Sequence, residues 1–448
     1  MAHARKRIGL VHHMSGGNLG DDATLAAVKH NIETRWPDAE IVGFAMVYED
    51  AGRAMTFPFS HKSRNDAPAK LESKATLKVK IKTAVTKNRF LYRLLKTIYT
   101  VAIAAPKAFL EEIPFLVKSF RDLRSFDLLI INAGGQLAES SGRPRAFDNC
   151  SWKFPYTMFK WVLLARLARV KPIVLNLGAG PLAGPLSKRF FRSALSRADY
   201  VAFRDEQSSA FAHQMGFTGA THVFPDSAYS RDVSALRASR VGRKDSVVGL
   251  APMVFGEASP PLKNEDPLYT SFLQQTGLFA SWLVRNDYCP TLFCSDMEVD
   301  PSSLCGVTAV VRTDLGTAIR DGSLGRVHQW STEELLANMS SMDYVVTTRF
   351  HGVVFAHMLN IPVLAISNHP TVSTLMNDLG LSEYCVDIDK CNSSVLVDTF
   401  VSLVSNRDEI KNRMAEKLAS YKEKLSNQFD QLFPSEVSTV DRDETVIR

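Results

Sequence analysis

The chain has 448 residues, of which 45% are hydrophobic, with a formal net charge of +6 and six cysteines. This length is enough for two domains with full cores and exceeds one ordinary single-sheet domain. No apolar stretch approaches the roughly 20 residues of a membrane span, and the first apolar run is only as long as a strand, so we expect no signal peptide. The cysteines form no CxxC pair, which favours a reducing cytoplasm over a zinc ribbon or a disulfide framework.

The positive charge is concentrated in one segment. Between Lys62 and Arg124, fifteen Lys and Arg stand against five acidic residues, so this segment carries +10 and the rest of the chain −4. Its stretch "FLYRLLKTIYTVAIAAPKAFLEEIPFLV" is typical of a basic amphipathic helix and not of a nucleic-acid surface. Two interpretations stay open, a solvated helical hairpin or a segment that contacts an anionic membrane or a lipid-linked acceptor.

Short apolar runs alternate with helical patterns in the first half. "RIGLVHH" predicts a strand, "DDATLAAVKHNIETRW" a helix capped by Asp21 or Asp22, and "EIVGFAM" a second strand. Beyond the basic segment, four more strands are expected in "FDLLIINAGG", "KPIVLNLGAG", "YVAFRDEQS" and "THVFPDSA". Such alternation predicts an α/β fold with a parallel sheet between layers of helices.

A polar, basic stretch from Ser234 to Ser246 interrupts the pattern, and we place the domain boundary there. Strands then restart in "VVGLAPMV", "PTLFCS", "DYVVTT" and "PVLAIS", with helices between them, and the long polar helix "RDEIKNRMAEKLASYKEKLSNQF" ends the fold. We predict two Rossmann-like domains facing across a cleft. Their limits are residues 1–235, with the basic insertion at about 62–124, and residues 246–430, followed by a disordered tail at 434–448.

Ligands of such folds lie in the cleft, at the carboxyl ends of the strands. Three glycine-rich exits follow strands of the first half, in "SGGNLGDDA", "NAGGQL" and "NLGAGPLAG". Glycine lets the backbone approach a ligand closely, and a helix N-terminus suits an anion or a sugar hydroxyl. None has the spacing of a Walker loop or a dinucleotide fingerprint, so each one alone is also consistent with a tight turn.

Arg204 and Arg349 follow apolar strands, where a buried guanidinium needs an anionic partner. A structural salt bridge is one explanation, for example between Arg204 and Asp205 or Asp226. The other is a small substrate with a phosphate and a carboxylate, because a guanidinium binds both in a bidentate manner. His351 stands two residues after Arg349, where it can take a proton from a hydroxyl or bind the anion as an imidazolium.

Signatures of two other enzyme classes are missing from the sequence. It has no HExxH motif, no His/Asp/Glu cluster at metal-ligand spacing and no serine nucleophile elbow. We therefore expect no metal site, no metal-dependent hydrolysis and no serine catalysis.

Six motifs occur in the order seen in polysaccharide pyruvyltransferases, and on this basis the chain resembles that family. They are "NLGDDA" at 18–23, "NAGGQL" at 132–137, "GAGP" at 178–181, "RDEQS" at 204–208, "PDSA" at 225–228 and "RFHGVVFAHMLNIPVLAIS" at 349–367. The resemblance implies a GT-B-like fold and transfer of an enolpyruvyl unit from phosphoenolpyruvate to two hydroxyls of a sugar. The product would be a cyclic pyruvate ketal on a cell-surface polysaccharide or glycolipid precursor, with release of phosphate and without a further cofactor.

The resemblance also implies roles for single residues. Arg204 would hold the donor, His351 would be the catalytic or donor-binding histidine, and Arg349 would be a second anion ligand. Asp21 would contact the acceptor hydroxyl or transfer its proton. Further substrate contacts are expected at Asn18, Gly20, Gly134, Gly135, Gly178, Gly180 and Ser208.

The expected partners are phosphoenolpyruvate and a glycan or lipid-linked sugar, with no nucleic acid. We expect a cytoplasmic protein, with peripheral contact at the inner face of the membrane through residues 62–124. The chain departs from the family at Thr371, where members carry a lysine that His369 or another basic residue would have to replace. Two alternatives therefore stay open, a GT-B-like glycosyltransferase that uses a nucleotide sugar and a catalytically silent relative that binds glycan.

Overall fold

The computed structural model describes residues 5–12, 18–45, 105–132, 153–180, 182, 184–236, 246–255, 266–297, 300–316 and 331–434. Its first sheet has six parallel strands in the order β2-β1-β3-β4-β5-β6. These are β1 (Arg7–His12), β2 (Glu40–Ala45), β3 (Leu128–Asn132), β4 (Lys171–Leu177), β5 (Tyr200–Phe203) and β6 (His222–Val223). All five residues of β3 are buried, which explains its uninterrupted apolar sequence.

The second sheet has five parallel strands in the order β11-β10-β9-β7-β8. These are β7 (Ser246–Ala251), β8 (Tyr288–Leu292), β9 (Tyr344–Thr347), β10 (Val363–Ser367) and β11 (Cys385–Asp387). The strand order of both sheets reverses beside the first strand, between β1 and β3 and between β7 and β9. Ligands bind at such reversal points, and the predicted α/β architecture with two Rossmann-like units is confirmed.

Helices connect the strands. They are α1 (Leu19–Arg35), α2 (Ala105–Leu123), α3 (Lys153–Leu167), α4 (Pro185–Leu195), α5 (Glu206–Gln214), α6 (Pro267–Arg285), α7 (Pro301–Leu315), α8 (Thr332–Met339), α9 (Phe350–Met358), α10 (Pro370–Asp378), α11 (Ser393–Ser405) and α12 (Arg407–Leu432). The sequence pattern did not predict α7 and α10. None of the described helices is long and apolar enough to cross a membrane.

The start of α1 differs from the prediction. Its cap is Asn18, whose Oδ1 accepts hydrogen bonds from the backbone N–H groups of Gly20 (3.1 Å) and Asp21 (3.4 Å). The prediction of Asp21 or Asp22 as the cap is wrong, because the helix already begins at the buried Leu19 and asparagine caps as well as aspartate. Both aspartates therefore lie in the first turn.

The last helix, α12, packs against the first sheet. Gln428 exchanges two side-chain hydrogen bonds with Asn176 (2.8 and 3.0 Å) and donates a third to the hydroxyl of Tyr200 (3.1 Å). Asn176 has a φ of 47°, at a register shift between β4 and β5. The last helix of the chain thus contacts the first sheet, although it follows the second sheet in the sequence. The domain limits given above stay a prediction.

Only the end of the basic segment is described, as α2. Ile113 and Val117 lie one turn apart on this helix with 39% and 43% of their surface exposed. The rest of the predicted insertion, residues 62–104, and the predicted tail from residue 435 lie outside the described residues.

Candidate functional site

The carboxyl edges of the two sheets meet at the start of α1. The N–H of Leu19 donates to the carbonyl of Ser295 (2.8 Å), and Asn18 forms an antiparallel bridge with Asp296. The hydroxyl of Thr332 donates to the carbonyl of Leu19 (3.1 Å). These contacts bring the first turn of α1 against the loop after β8 and the start of α8.

Gly20 and His351, which come from different halves of the chain, lie in direct contact. His351 is in the first turn of α9, directly after β9, and is 8% exposed. A Cβ atom on Gly20 would lie 2.1 Å from Cγ and Nδ1 of the imidazole, so only glycine permits this approach. The structure therefore brings together two of the predicted site residues.

Gly178 holds Arg204 in a similar way. Arg204 follows β5, its side chain is 3% exposed, and a Cβ on Gly178 would lie 2.5 Å from its Nε. The guanidinium carbon lies 3.8 Å from the centroid of the Phe350 ring, a favourable cation–π contact. Phe350 precedes His351 in α9, so this ring connects the two predicted site residues Arg204 and His351.

A residue to which the sequence assigned no more than a salt bridge, Asp226, lies between these two groups. Its Oδ2 is 3.7 Å from Nε2 of His351 and 3.8 Å from Nη1 of Arg204. Burial raises the pKa of Asp226, but the His351 imidazole and then the Arg204 guanidinium more than offset this and lower it to about 2. Asp226 is therefore ionised, and its position in "PDSA" directly after β6 was the available signal.

Two buried nitrogen atoms of this cluster lack hydrogen-bond partners among the described residues. They are Nε of Arg204 and Nε2 of His351. The carboxylate oxygens of Asp205 and Asp226 lie 3.7 to 3.8 Å from these two side chains, beyond hydrogen-bond length. Buried donors without partners cost free energy, so they mark a place where an anionic ligand would be stabilised.

Asp21 supplies a second carboxyl group of different character. It is 2% exposed, and its Oδ2 accepts a hydrogen bond from the side chain of Asn18 (3.1 Å). Burial raises the pKa of Asp21 to about 6, although the nearby His351 opposes the shift. Two carboxyl groups with pKa values moved in opposite directions, Asp21 and Asp226, are the arrangement expected for acid–base chemistry.

Arg349 is paired much more tightly than Arg204. Its Nε and Nη2 donate to the two carboxylate oxygens of Asp300 (3.0 and 2.5 Å), and Nη2 also donates to Asp296 (3.3 Å). The sequence left a structural salt bridge open as one explanation for Arg349, and the structure contains it. The role of Arg349 as a second anion ligand stays a prediction.

The remaining predicted contacts fall into two groups. The Ser208 hydroxyl accepts from the N–H of Ala179 (2.9 Å) and lies 3.2 Å from its carbonyl, so it shapes the loop that contains Gly178 and Gly180. Gly134 and Gly135 lie outside the described residues.

Thr371 and His369 occupy the start of α10. Nδ1 of His369 accepts a hydrogen bond from the N–H of Thr371 (3.3 Å) and thereby caps the helix. Burial and then the charge of Arg204 lower the pKa of His369, against the opposing effect of Asp205. His369 is therefore a neutral group beside Arg204 and does not replace the lysine of the family pattern.

Comparisons with known proteins agree with this architecture. The family model described as polysaccharide pyruvyl transferase matches residues 18–265 and 318–370. The S. aureus MnaA-UDP co-structure is similar at a TM-score of 0.54 and 10% identity, covering 97% of both chains. UDP-GlcNAc 2-epimerase from Neisseria meningitidis bound to UDP-GlcNAc has a TM-score of 0.53 at 10% identity, over 95% of this chain and 99% of that one.

A glycosyltransferase from Rickettsia africae ESF-5 is similar to the same degree, with a TM-score of 0.53 at 10% identity over 96% of this chain and 98% of that one. At such identity these structures show the fold alone. The comparison with curated proteins found no match.

Proposed function

This chain belongs to the polysaccharide pyruvyl transferase family, and we propose that it moves an enolpyruvyl group from phosphoenolpyruvate to two hydroxyls of a sugar. The acceptor is a cell-surface polysaccharide or glycolipid precursor, and the products are a cyclic pyruvate ketal and phosphate. One observation carries the proposal for the donor. The buried Nε of Arg204 has no hydrogen-bond partner among the described residues, and Asp226 lies between its guanidinium and His351.

Phosphoenolpyruvate fits this cluster by charge and size. It places a phosphate and a carboxylate on three carbons, and a guanidinium binds either group with parallel N–H donors. The guanidinium of Arg204 is held by Gly178 and Phe350, so little side-chain entropy is lost when it binds. Its charge is little screened because only 3% of the side chain is exposed.

The reaction needs two proton transfers in its first step. One proton goes to the methylene carbon of the donor, and the sugar hydroxyl that attacks the neighbouring carbon loses one. We assign the first to His351, whose Nε2 lies 3.7 Å from the Asp226 carboxylate, and the second to Asp21, whose pKa of about 6 suits a base at neutral pH. Phosphate then leaves with the proton held by Asp21, and His351, which has lost its proton, takes the proton of the second hydroxyl as that oxygen attacks and closes the ketal.

The proposal also covers how the acceptor is presented, which we assign to a membrane surface. The exposed Ile113 and Val117 stand beside the exposed cations Lys118 and Arg121 on α2. Apolar side chains flanked by cations are suited to the surface of an anionic bilayer. We therefore extend the proposal to peripheral contact of this face with an anionic membrane that presents a lipid-linked acceptor.

Vesicle sedimentation tests this contact. Ile113→Glu/Val117→Glu should lose binding to vesicles with anionic lipid, whereas Val401→Glu, at a similarly exposed valine of α11, should bind like the unaltered protein. Equal binding of all three proteins would refute the membrane face. Neutral vesicles show whether the interaction depends on charge.

Turnover tests the reaction itself. The protein is incubated with phosphoenolpyruvate and a panel of hexoses and lipid-linked hexoses, and phosphate release is followed together with the mass of each sugar. His351→Ala should abolish both signals while its circular dichroism stays unchanged, and normal phosphate release from this variant would refute the role of His351. Binding of UDP in place of the donor would support the glycosyltransferase alternative, and donor binding without turnover of any acceptor the silent relative.

A further inference from the structure

The position of Asp226 carries an inference about how the site is organised. We propose that Asp226 is a positioning residue whose Oδ2 keeps a proton on Nε2 of His351 and orients the guanidinium of Arg204. The geometry stands independently of the reaction, while the consequence for turnover rests on the proposed function.

The two oxygens of the Asp226 carboxylate have separate partners. Oδ1 accepts from the N–H of Ala228 (2.9 Å) and from the hydroxyl of Thr24 on α1 (3.2 Å). The N–H of Ala228 fixes the rotation of the carboxylate, which is 3% exposed. Oδ2 is therefore directed at His351 and Arg204, at 3.7 and 3.8 Å. Catalytic hydrogen bonds are often this long without substrate and tighten in the complex.

Two other carboxylates lie near His351 and Arg204. Asp21 lies in the first turn of α1 and binds Asn18. Asp205 pairs with Nε of Arg204 at 3.7 Å, while its Oδ1 caps α5 by accepting from the N–H of Ser208 (2.6 Å). The Oδ2 of Asp226 lies 3.7 Å from His351 and 3.8 Å from Arg204, and its low pKa keeps the charge in place at working pH.

Asp226→Asn tests the proposal because the side chain has one available orientation. The N–H of Ala228 needs an acceptor, so the asparagine oxygen must occupy the position of Oδ1. Its NH₂ group then faces His351 and Arg204. Nε2 of His351 has to accept a hydrogen bond there, which moves the ring proton to Nδ1.

The readout is ¹⁵N NMR of ring-labelled histidine in the full chain, with His351→Gln to assign its signals among the 11 histidines. We expect a proton on Nε2 in the unaltered protein and on Nδ1 in Asp226→Asn. The matched control Asp205→Asn also removes a charge beside Arg204 but keeps a good helix cap, so it should retain the Nε2 proton. An unchanged proton position in Asp226→Asn overturns the proposal.

A second variant and a kinetic readout complete the test. If Asp226→Asn does not fold, Asp226→Ser removes Oδ2, and a retained preference for the Nε2 proton overturns the proposal equally. For phosphate release, kcat of Asp226→Asn should fall by about 100-fold or more, the usual size of a general acid–base contribution, while Asp205→Asn mainly raises KM. If the unaltered protein releases no phosphate, the proposed function fails, and the NMR result still decides the role of Asp226.

Discussion

Arg204 and Arg349 both follow a largely buried parallel strand, β5 of the first sheet and β9 of the second, and differ in how well they are paired. Arg349 donates two hydrogen bonds to Asp300 at 2.5 and 3.0 Å and another to Asp296. The carboxylates near Arg204 lie 3.7 and 3.8 Å away, and its Nε is left without a partner among the described residues. An arginine after a buried strand is thus a candidate ligand for an anion when the fold leaves N–H groups of its guanidinium without hydrogen-bond partners.

The largest effect on stability is expected at the saturated arginine. Arg349→Ala leaves the 1% exposed side chain of Asp300 without its counterion, so the free energy of unfolding should fall by about 3–5 kcal/mol. Urea denaturation measures this loss. The double variant Arg349→Met/Asp300→Leu should recover most of it, because an apolar pair carries no unpaired charge. A loss below about 1 kcal/mol would mean that the ion pairs of Arg349 contribute little to stability, contrary to the contrast drawn with Arg204.

The glycine beneath Arg204 should affect the donor more than the fold. In Gly178→Ala the added methyl group would lie 2.5 Å from Nε of Arg204 and displace the guanidinium. We expect KM for phosphoenolpyruvate to rise about tenfold, which corresponds to about 1.4 kcal/mol.

Gly380→Ala is the control for Gly178→Ala. Gly380 has a φ of 68° with no atom within 4 Å of an added Cβ, so its alanine variant strains the backbone far from the site. It should lower stability and leave KM unchanged. Equal KM values for the two variants would contradict the role given to Arg204.

The smallest effect concerns Asp22, next to the catalytic candidate Asp21. Burial, together with Asp21 and Glu333, raises the pKa of Asp22 from 3.8 to about 7. Stability due to the protonated carboxyl is therefore complete below pH 3.8 and lost as the pH rises through about 7. Because the side chain is partly exposed, we expect only about 1 kcal/mol of added stability on going from pH 8 to pH 5.5.

Thermal unfolding at both pH values measures this gain. Asp22→Asn should unfold with a smaller difference between pH 8 and pH 5.5 than the unaltered protein. The same difference in both proteins would assign the pH dependence to other groups, such as Asp21 and Asp300, whose pKa values burial also raises to about 6.

Strands buried on both faces were predictable because they are short, uninterrupted apolar runs, as in β3, β9 and β10. Helix α7 was missed because Cys305, Gly306 and several β-branched residues weaken its helical pattern. Strand β11 has only three residues, which is too short for any periodicity.

The site could be predicted where chemistry follows a strand directly. Arg204 and His351 were named for this reason, as was Gly20 in its glycine loop. A salt bridge between Asp226 and Arg204 was one predicted option, but the contact of Asp226 with His351 was not found, because His351 comes from the other half of the chain. Pairings at such separations are set by the tertiary fold and leave no local pattern.

Calorimetric titration with phosphoenolpyruvate tests directly whether Arg204 binds the donor. Three proteins are compared: the unaltered protein, Arg204→Ala and a folded preparation of Arg349→Ala. We expect saturable binding that Arg204→Ala weakens by at least about 100-fold, the size of a lost charge-assisted pair, and that Arg349→Ala weakens less. Loss of binding in Arg349→Ala with retention in Arg204→Ala would refute Arg204 as the main ligand of the donor.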